Sequence, residues 1–76
     1  MKSNRFPGQE AVEQVRKLYS VGCRVELVQM DDPYSKLTPG DQGIVTDVDD
    51  TGTVFVRWDS GSELGVLYGV DRIRKL

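Results

Sequence analysis

PGDQGIVTDVDDTGTVFVRWDSGSELG, residues 39–65, is the stretch whose reading decides the fold. Ile44 to Val48, Thr53 to Trp58 and Glu63 to Val66 are short runs rich in β-branched and aromatic residues. Asp49-Asp50-Thr51-Gly52 and Asp59-Ser60-Gly61-Ser62 separate them. Each separator carries a glycine able to take the positive φ of a hairpin turn, so the three runs read as a β-meander. Val54, Val56 and Trp58 alternate with Thr53, Phe55 and Arg57, and Ile44, Thr46 and Val48 alternate with Val45 and Asp47, which gives each strand one inward face.

Upstream, Ala11, Val12, Val15, Leu18 and Tyr19 follow helical spacing and form one apolar stripe. Glu10 lies in the first turn and Arg16 and Lys17 near the far end, each on the side that the helix dipole favours. The predicted helix spans 9–20 after a flexible segment at 1–8, and Ser20-Val21-Gly22 ends it. Arg24 to Met30 reads as a strand with Val25 and Leu27 inward. A long loop from Asp31 to Asp41 follows, with Leu37 returning to the core and Pro39-Gly40-Asp41 closing it as a turn. After the meander, Leu67 to Asp71 forms a short turn, and Arg72 to Leu76 closes the sheet with Ile73 inward. The predicted fold is mainly β: a five-stranded SH3-like small barrel over 23–76 with an N-terminal α-helix, one domain in all.

The chain has 76 residues with 38% hydrophobic content, so its core is small. At this size a single core supplies no more than about 3–5 kcal/mol. Cys23 is the one cysteine, which rules out an internal disulfide and suits a reducing compartment, so a cytoplasmic location is expected. No apolar run reaches signal-peptide or membrane-span length. The net charge of −2 hides an asymmetry: eight acids face two bases from Asp31 to Glu63, giving −6, and the remainder carries +4.

Residues across the chain carry a resemblance. Val25-Glu26-Leu27-Val28, Met30-Asp31-Asp32-Pro33-Tyr34, Lys36-Leu37, Pro39-Gly40-Asp41, Gly43, Trp58-Asp59, Gly61-Ser62, Leu64-Gly65, Asp71-Arg72 and Arg74-Lys75 together resemble a small bacterial family of unknown function. The likeness runs from about Phe6 to the C-terminus. It implies a compact SH3-like β domain and no particular activity.

The motifs that suggest catalysis have plainer readings. Asp50-Thr51-Gly52 and Asp59-Ser60-Gly61 match the triplet of aspartic proteases, whose paired carboxylates share a proton at about 3 Å. Here they flank one strand about 20 Å long, which excludes a dyad within the chain. Asp47 to Gly52 resembles the start of a calcium loop, but Trp58 stands where the bidentate glutamate belongs. The chain has no histidine, so imidazole-based zinc sites and nucleophile pairs are missing. No enzyme activity, metal or cofactor is expected.

A binding role is the remaining expectation. The loop at 31–38 offers adjacent acids and an aromatic, which suits a protein or peptide partner, and Asp31, Asp32, Tyr34 and Trp58 are the candidate contacts. The same acids could instead cap backbone amides or pair with Arg72 and Arg74, and Trp58, sharing a face with Val54 and Val56, could be core. The alternative partner is nucleic acid, through Arg24, Arg72, Arg74 and Lys75. A sequence pI near 4.9 disfavours it, since basic nucleic-acid modules usually exceed about 9. The helix stripe either covers the barrel near Val45 and Phe55 or awaits a partner, a second copy included.

Overall fold

The computed structural model describes residues 8–31, 36–67 and 69–76. Its elements follow the chain as α1 (Gln9–Leu18), β1 (Arg24–Gln29), β2 (Gln42–Val48), β3 (Val54–Trp58), β4 (Glu63–Val66) and β5 (Arg72–Lys75). The strands form one antiparallel sheet in the order β4-β3-β2-β1-β5. The three meander runs therefore pair in sequence, and the last strand returns to lie beside the first. β4 and β5 are the two edges of the sheet, and among the described residues no ladder joins them. Among the described residues no helix is long and apolar enough to cross a membrane.

Strand β3 buries every second residue, so Val54, Val56 and Trp58 face the core while Phe55 and Arg57 are exposed. In β2 the period breaks. The pairing slips between Val45 and Asp47, which leaves Thr46 as an extra residue, and Val45 and Val48 both end up buried. Strict alternation would have sent them to opposite faces; a bulge resets the pleat by one residue. β2 also begins earlier than expected, because Gln42 and Gly43 pair with Glu26 and Val25 of β1.

The core holds Val25, Leu27, Leu37, Val45, Val48, Val54, Val56, Trp58 and Val66. Leu37 returns from the loop to join it, as its lone aliphatic side chain demands. At the β2–β3 turn Asp49 Oδ1 accepts bonds from the Thr51 and Thr53 amides at 2.9 and 3.0 Å and from the Thr51 hydroxyl at 2.6 Å. Gly52 closes this turn with φ 83°.

Helix α1 buries Val12 and packs Val15 and Tyr19 against the core. Its position differs from the one expected. Phe55 lies on the outer surface and is 39% exposed, so the helix does not bury it, whereas Val45 is 1% exposed. The helix sits instead where Val54, Val66 and Ile73 meet. Arg16 fixes it there by donating to the Val48 carbonyl at 3.2 Å and pairing with Asp50 at 3.0 Å. The predicted flexible segment, apart from Gly8, lies outside the described residues.

Candidate functional site

The turn at 67–71 and the loop that begins at Asp31 are held together by one carboxylate. Asp71 Oδ1 accepts from the Asp31 amide at 2.9 Å, and Asp71 Oδ2 accepts from the Leu67 amide at 3.0 Å. Two backbone donors outside the ladders are thereby satisfied, and the start of the loop is pinned beside β5. At its far end the Thr38 amide donates to Asp41 Oδ2 at 3.1 Å and Asp41 donates back to the Thr38 carbonyl at 3.0 Å. The segment is thus anchored at both ends, with Leu37 buried directly before the second anchor.

Beside the Asp71 anchor lies an apolar groove of about 500 Å³. Its walls are Val15, Leu18 and Tyr19 of α1, Val28 of β1, Val54 and Val66 of the meander, and Leu67, Asp71, Arg72 and Ile73. The volume falls within the range usual for ligand sites, roughly 300–1,000 Å³. Leu18 and Leu67 remain 52% and 50% exposed on its rim, and Val28 is 44% exposed. Three large aliphatic side chains left in water on one concave surface mark a place where something can dock.

Polar atoms in the walls are almost all engaged. The Tyr19 hydroxyl donates to the Ile73 carbonyl at 3.3 Å. Burial pushes the Tyr19 phenol above its ordinary value, with the neighbouring Cys23 adding to the effect, so it stays a donor at neutral pH. Both oxygens of Asp71 are occupied as described. The Arg72 side chain is exposed and, among the described residues, makes no hydrogen bond or ion pair.

The residues expected to contact a ligand separate into distinct environments. Asp31 is exposed at the edge of the groove system. Asp32 and Tyr34 lie outside the described residues. Trp58 is a correction: it is 1% exposed, and its indole N–H donates to the Leu64 carbonyl at 3.2 Å, so it belongs to the core and offers no surface. Nor does Asp31 pair with Arg72 or Arg74 through its carboxylate, since Arg74 reaches Glu26 at 3.2 Å across the β1–β5 ladder.

The basic strip is partly spent on internal pairs. Arg24 forks onto Asp59, with Nη2 to Oδ2 at 2.7 Å and Nη1 to Oδ1 at 3.3 Å, and also reaches Gln42 at 3.1 Å. The fork holds the Asp59 carboxyl below its usual range and raises the Arg24 guanidinium. Of Arg24, Arg72, Arg74 and Lys75, only Arg72 and Lys75 keep their charge unpaired among the described residues. Two lone cations on one short strand make a weak footprint for a phosphate backbone. The two acids of the protease-like triplets, Asp50 and Asp59, are likewise taken by different arginines, Arg16 and Arg24. Among the described residues no group of three or more acids or cysteines is placed to hold a metal ion.

Sequence reasoning missed the groove and the Asp71 clamp. An aspartate closing a five-residue turn before a strand is a signal for backbone capping, but its second partner forty residues upstream has no local trace. No curated protein matches the chain. The model of a domain of unknown function, DUF4314, matches residues 8–76, which takes in α1 and all five strands, and the chain belongs to that family.

Proposed function

We propose that the chain is a non-enzymatic accessory or adaptor domain that binds a segment of a partner protein at the 31–38 loop and the apolar groove beside it. The observation that carries this reading is the Asp71 clamp, which sets the first residue of the loop against a groove rimmed by half-exposed Leu18, Val28 and Leu67. An apolar slot next to a loop with two adjacent acids and one aromatic can take the side chains of a segment while the loop reads its flanks. The absence of histidine and the single cysteine in the sequence support a binding role over a catalytic one.

The sheet is read here as a small SH3-like barrel. Its support is that edge strands β4 and β5 both contribute to one core, through Val66 and Ile73, while the sheet runs β4-β3-β2-β1-β5. Both edges contributing to one interior is what a sheet rolled on itself requires.

The test is a titration of isotope-labelled protein with synthetic 12-residue peptides of apolar, acidic, basic and proline-rich composition, followed by NMR. The expected result is saturable shifts in the amides of Asp31 and residues 36–38 and the methyls of Val28 and Leu67. Peptides that leave all of these unmoved at millimolar concentration would sink the reading.

A further inference from the structure

Strand β1 carries a bulge on the wall of the groove. Leu27 pairs with Ile73 and Gln29 with Arg72, so Val28 is an extra residue that has no partner on β5. Bulges at sheet edges re-aim side chains, and they recur beside binding sites. Here the bulge places half-exposed Val28 and exposed Arg72 in the lining of the same groove. Asp71, the other charged residue of the lining, has both oxygens committed to the Asp31 and Leu67 amides. The Tyr19 hydroxyl is committed to Ile73. Among the described residues, what the walls offer an occupant is therefore aliphatic surface and one unpaired guanidinium, with the Asp71 carboxylate turned to its two amides.

We infer that the groove docks an apolar protein segment bearing an acidic side chain, whose carboxylate Arg72 receives. The inference rests on the proposed protein-binding role and specifies the ligand's chemistry. Guanidinium presents a planar fork that meets a carboxylate with two parallel N–H···O bonds, and next to apolar walls such a pair is less screened than on open surface. A basic segment would gain nothing from Arg72 and would be repelled by it. A groove of about 500 Å³ with half-exposed Leu18 and Leu67 at its rim has room for a few side chains of such a segment.

The experiment selects a phage-displayed library of random 12-residue peptides against the wild-type chain and, separately, against R72E, with R72Q as a neutral control. Arg72 is exposed, so all three proteins are expected to fold. Wild-type selection should enrich Asp or Glu between aliphatic residues, and R72E selection should exchange the acid for Lys or Arg. By calorimetry the wild-type peptide should lose roughly tenfold or more in affinity toward R72E, and its Glu→Lys version should recover it, as expected for one charge pair reversed twice. Methyl shifts should map to Val28, Leu67 and Ile73. Peptides that bind with shifts confined to 31–38, or with equal affinity for R72E, overturn the inference and leave the protein-binding reading standing. A library that yields no binder removes both. Decanoate shifting the groove methyls in an Arg72-dependent way, with no peptide selected, would assign the groove to a fatty carboxylate and overturn both as well.

Discussion

The hydroxyl of Tyr19, the residue that caps the C-terminal end of α1, donates to the carbonyl of Ile73 at 3.3 Å. Leu76 donates to Arg24 across the β1–β5 ladder, and in an antiparallel pair such bonded positions alternate, which directs the Ile73 carbonyl toward the open edge of β5. The helix therefore does two things with one side chain: it buries the tyrosine ring against the core and blunts an unpaired sheet edge. Removing the hydroxyl leaves the ring and takes only the bond. Tyr19→Phe is expected to cost about 1 kcal/mol and to lower the melting temperature by roughly 4–8 °C, with faster amide exchange in α1 than in β2 and β3. A variant as stable as the wild type would mean that the edge carbonyl is satisfied by water.

Gly43 meets Trp58 across the β2–β3 ladder with no room for a side chain. A Cβ there would lie 2.6 Å from the Arg57 carbonyl oxygen, 2.6 Å from Val56 Cγ1 and 2.9 Å from Trp58 Cα. Two of these atoms are backbone and cannot rotate away, so the strands would have to part. Gly43→Ala is expected to cost roughly 3 kcal/mol, which is most of what so small a core supplies. Thermal unfolding followed by circular dichroism should find it largely unfolded at 37 °C, while Gly8→Ala, whose Cβ would meet open space, should cost only about 1 kcal/mol or less as an N-cap change.

Asp49 gathers three donors at the β2–β3 turn, and its carboxyl is held below the ordinary 3.8. The Thr51 hydroxyl is the largest cause, opposed by partial desolvation and helped by the Thr53 and Thr51 amides and by Arg16. A depressed folded-state value means that the unfolded chain binds the proton more readily, so this contribution is present above the unfolded value and is lost as pH falls through the folded one. Asp49→Asn should cost about 1 kcal/mol at neutral pH, and the difference from wild type should shrink as pH falls through the depressed folded-state value. Melting temperatures of the two proteins from pH 7 to pH 2 decide it: a difference that stays constant with pH would show that charge plays no part in the turn.

Much of this architecture is written locally. The β3 alternation, the Asp-and-Gly separators and the helical stripe of Val12, Val15 and Tyr19 each need only near neighbours to be read, and the structure follows them. The bulge at Thr46 is not of this kind. It follows from matching β2 to both β1 and β3 while keeping Val45 and Val48 inside, a demand that no single strand reveals. The candidate site suffers the same difficulty more severely. Asp31 and Asp71 are forty residues apart, and Val28 and Arg72 share a groove only because β5 pairs with β1. The acids of the 31–38 loop are visible in the sequence, whereas the cation that the groove beside it displays, Arg72, is placed there only by the sheet. Trp58 shows the reverse case: an indole on a strand can be contact or core, and the Leu64 carbonyl waiting for its N–H decides for core.

That assignment of Trp58 separates stability from binding. Its side chain is packed among Val25, Leu27, Val45 and Val56, the other large side chains with almost no exposure. Trp58→Phe keeps an aromatic ring but removes ring volume and strands the Leu64 carbonyl without its indole donor. Lost packing and a lost bond together are expected to cost about 2–3 kcal/mol. Since no part of the indole reaches the surface, a folded Trp58→Phe sample at low temperature should bind a groove-selected peptide with the wild-type affinity. The fluorescence of this lone tryptophan gives a second check: buried beside a carbonyl, it should resist quenching by iodide in the native state and yield to it on unfolding. A Trp58→Phe protein that kept its stability but lost the peptide would return the indole to the binding surface, and would require β3 to present its other face to the core.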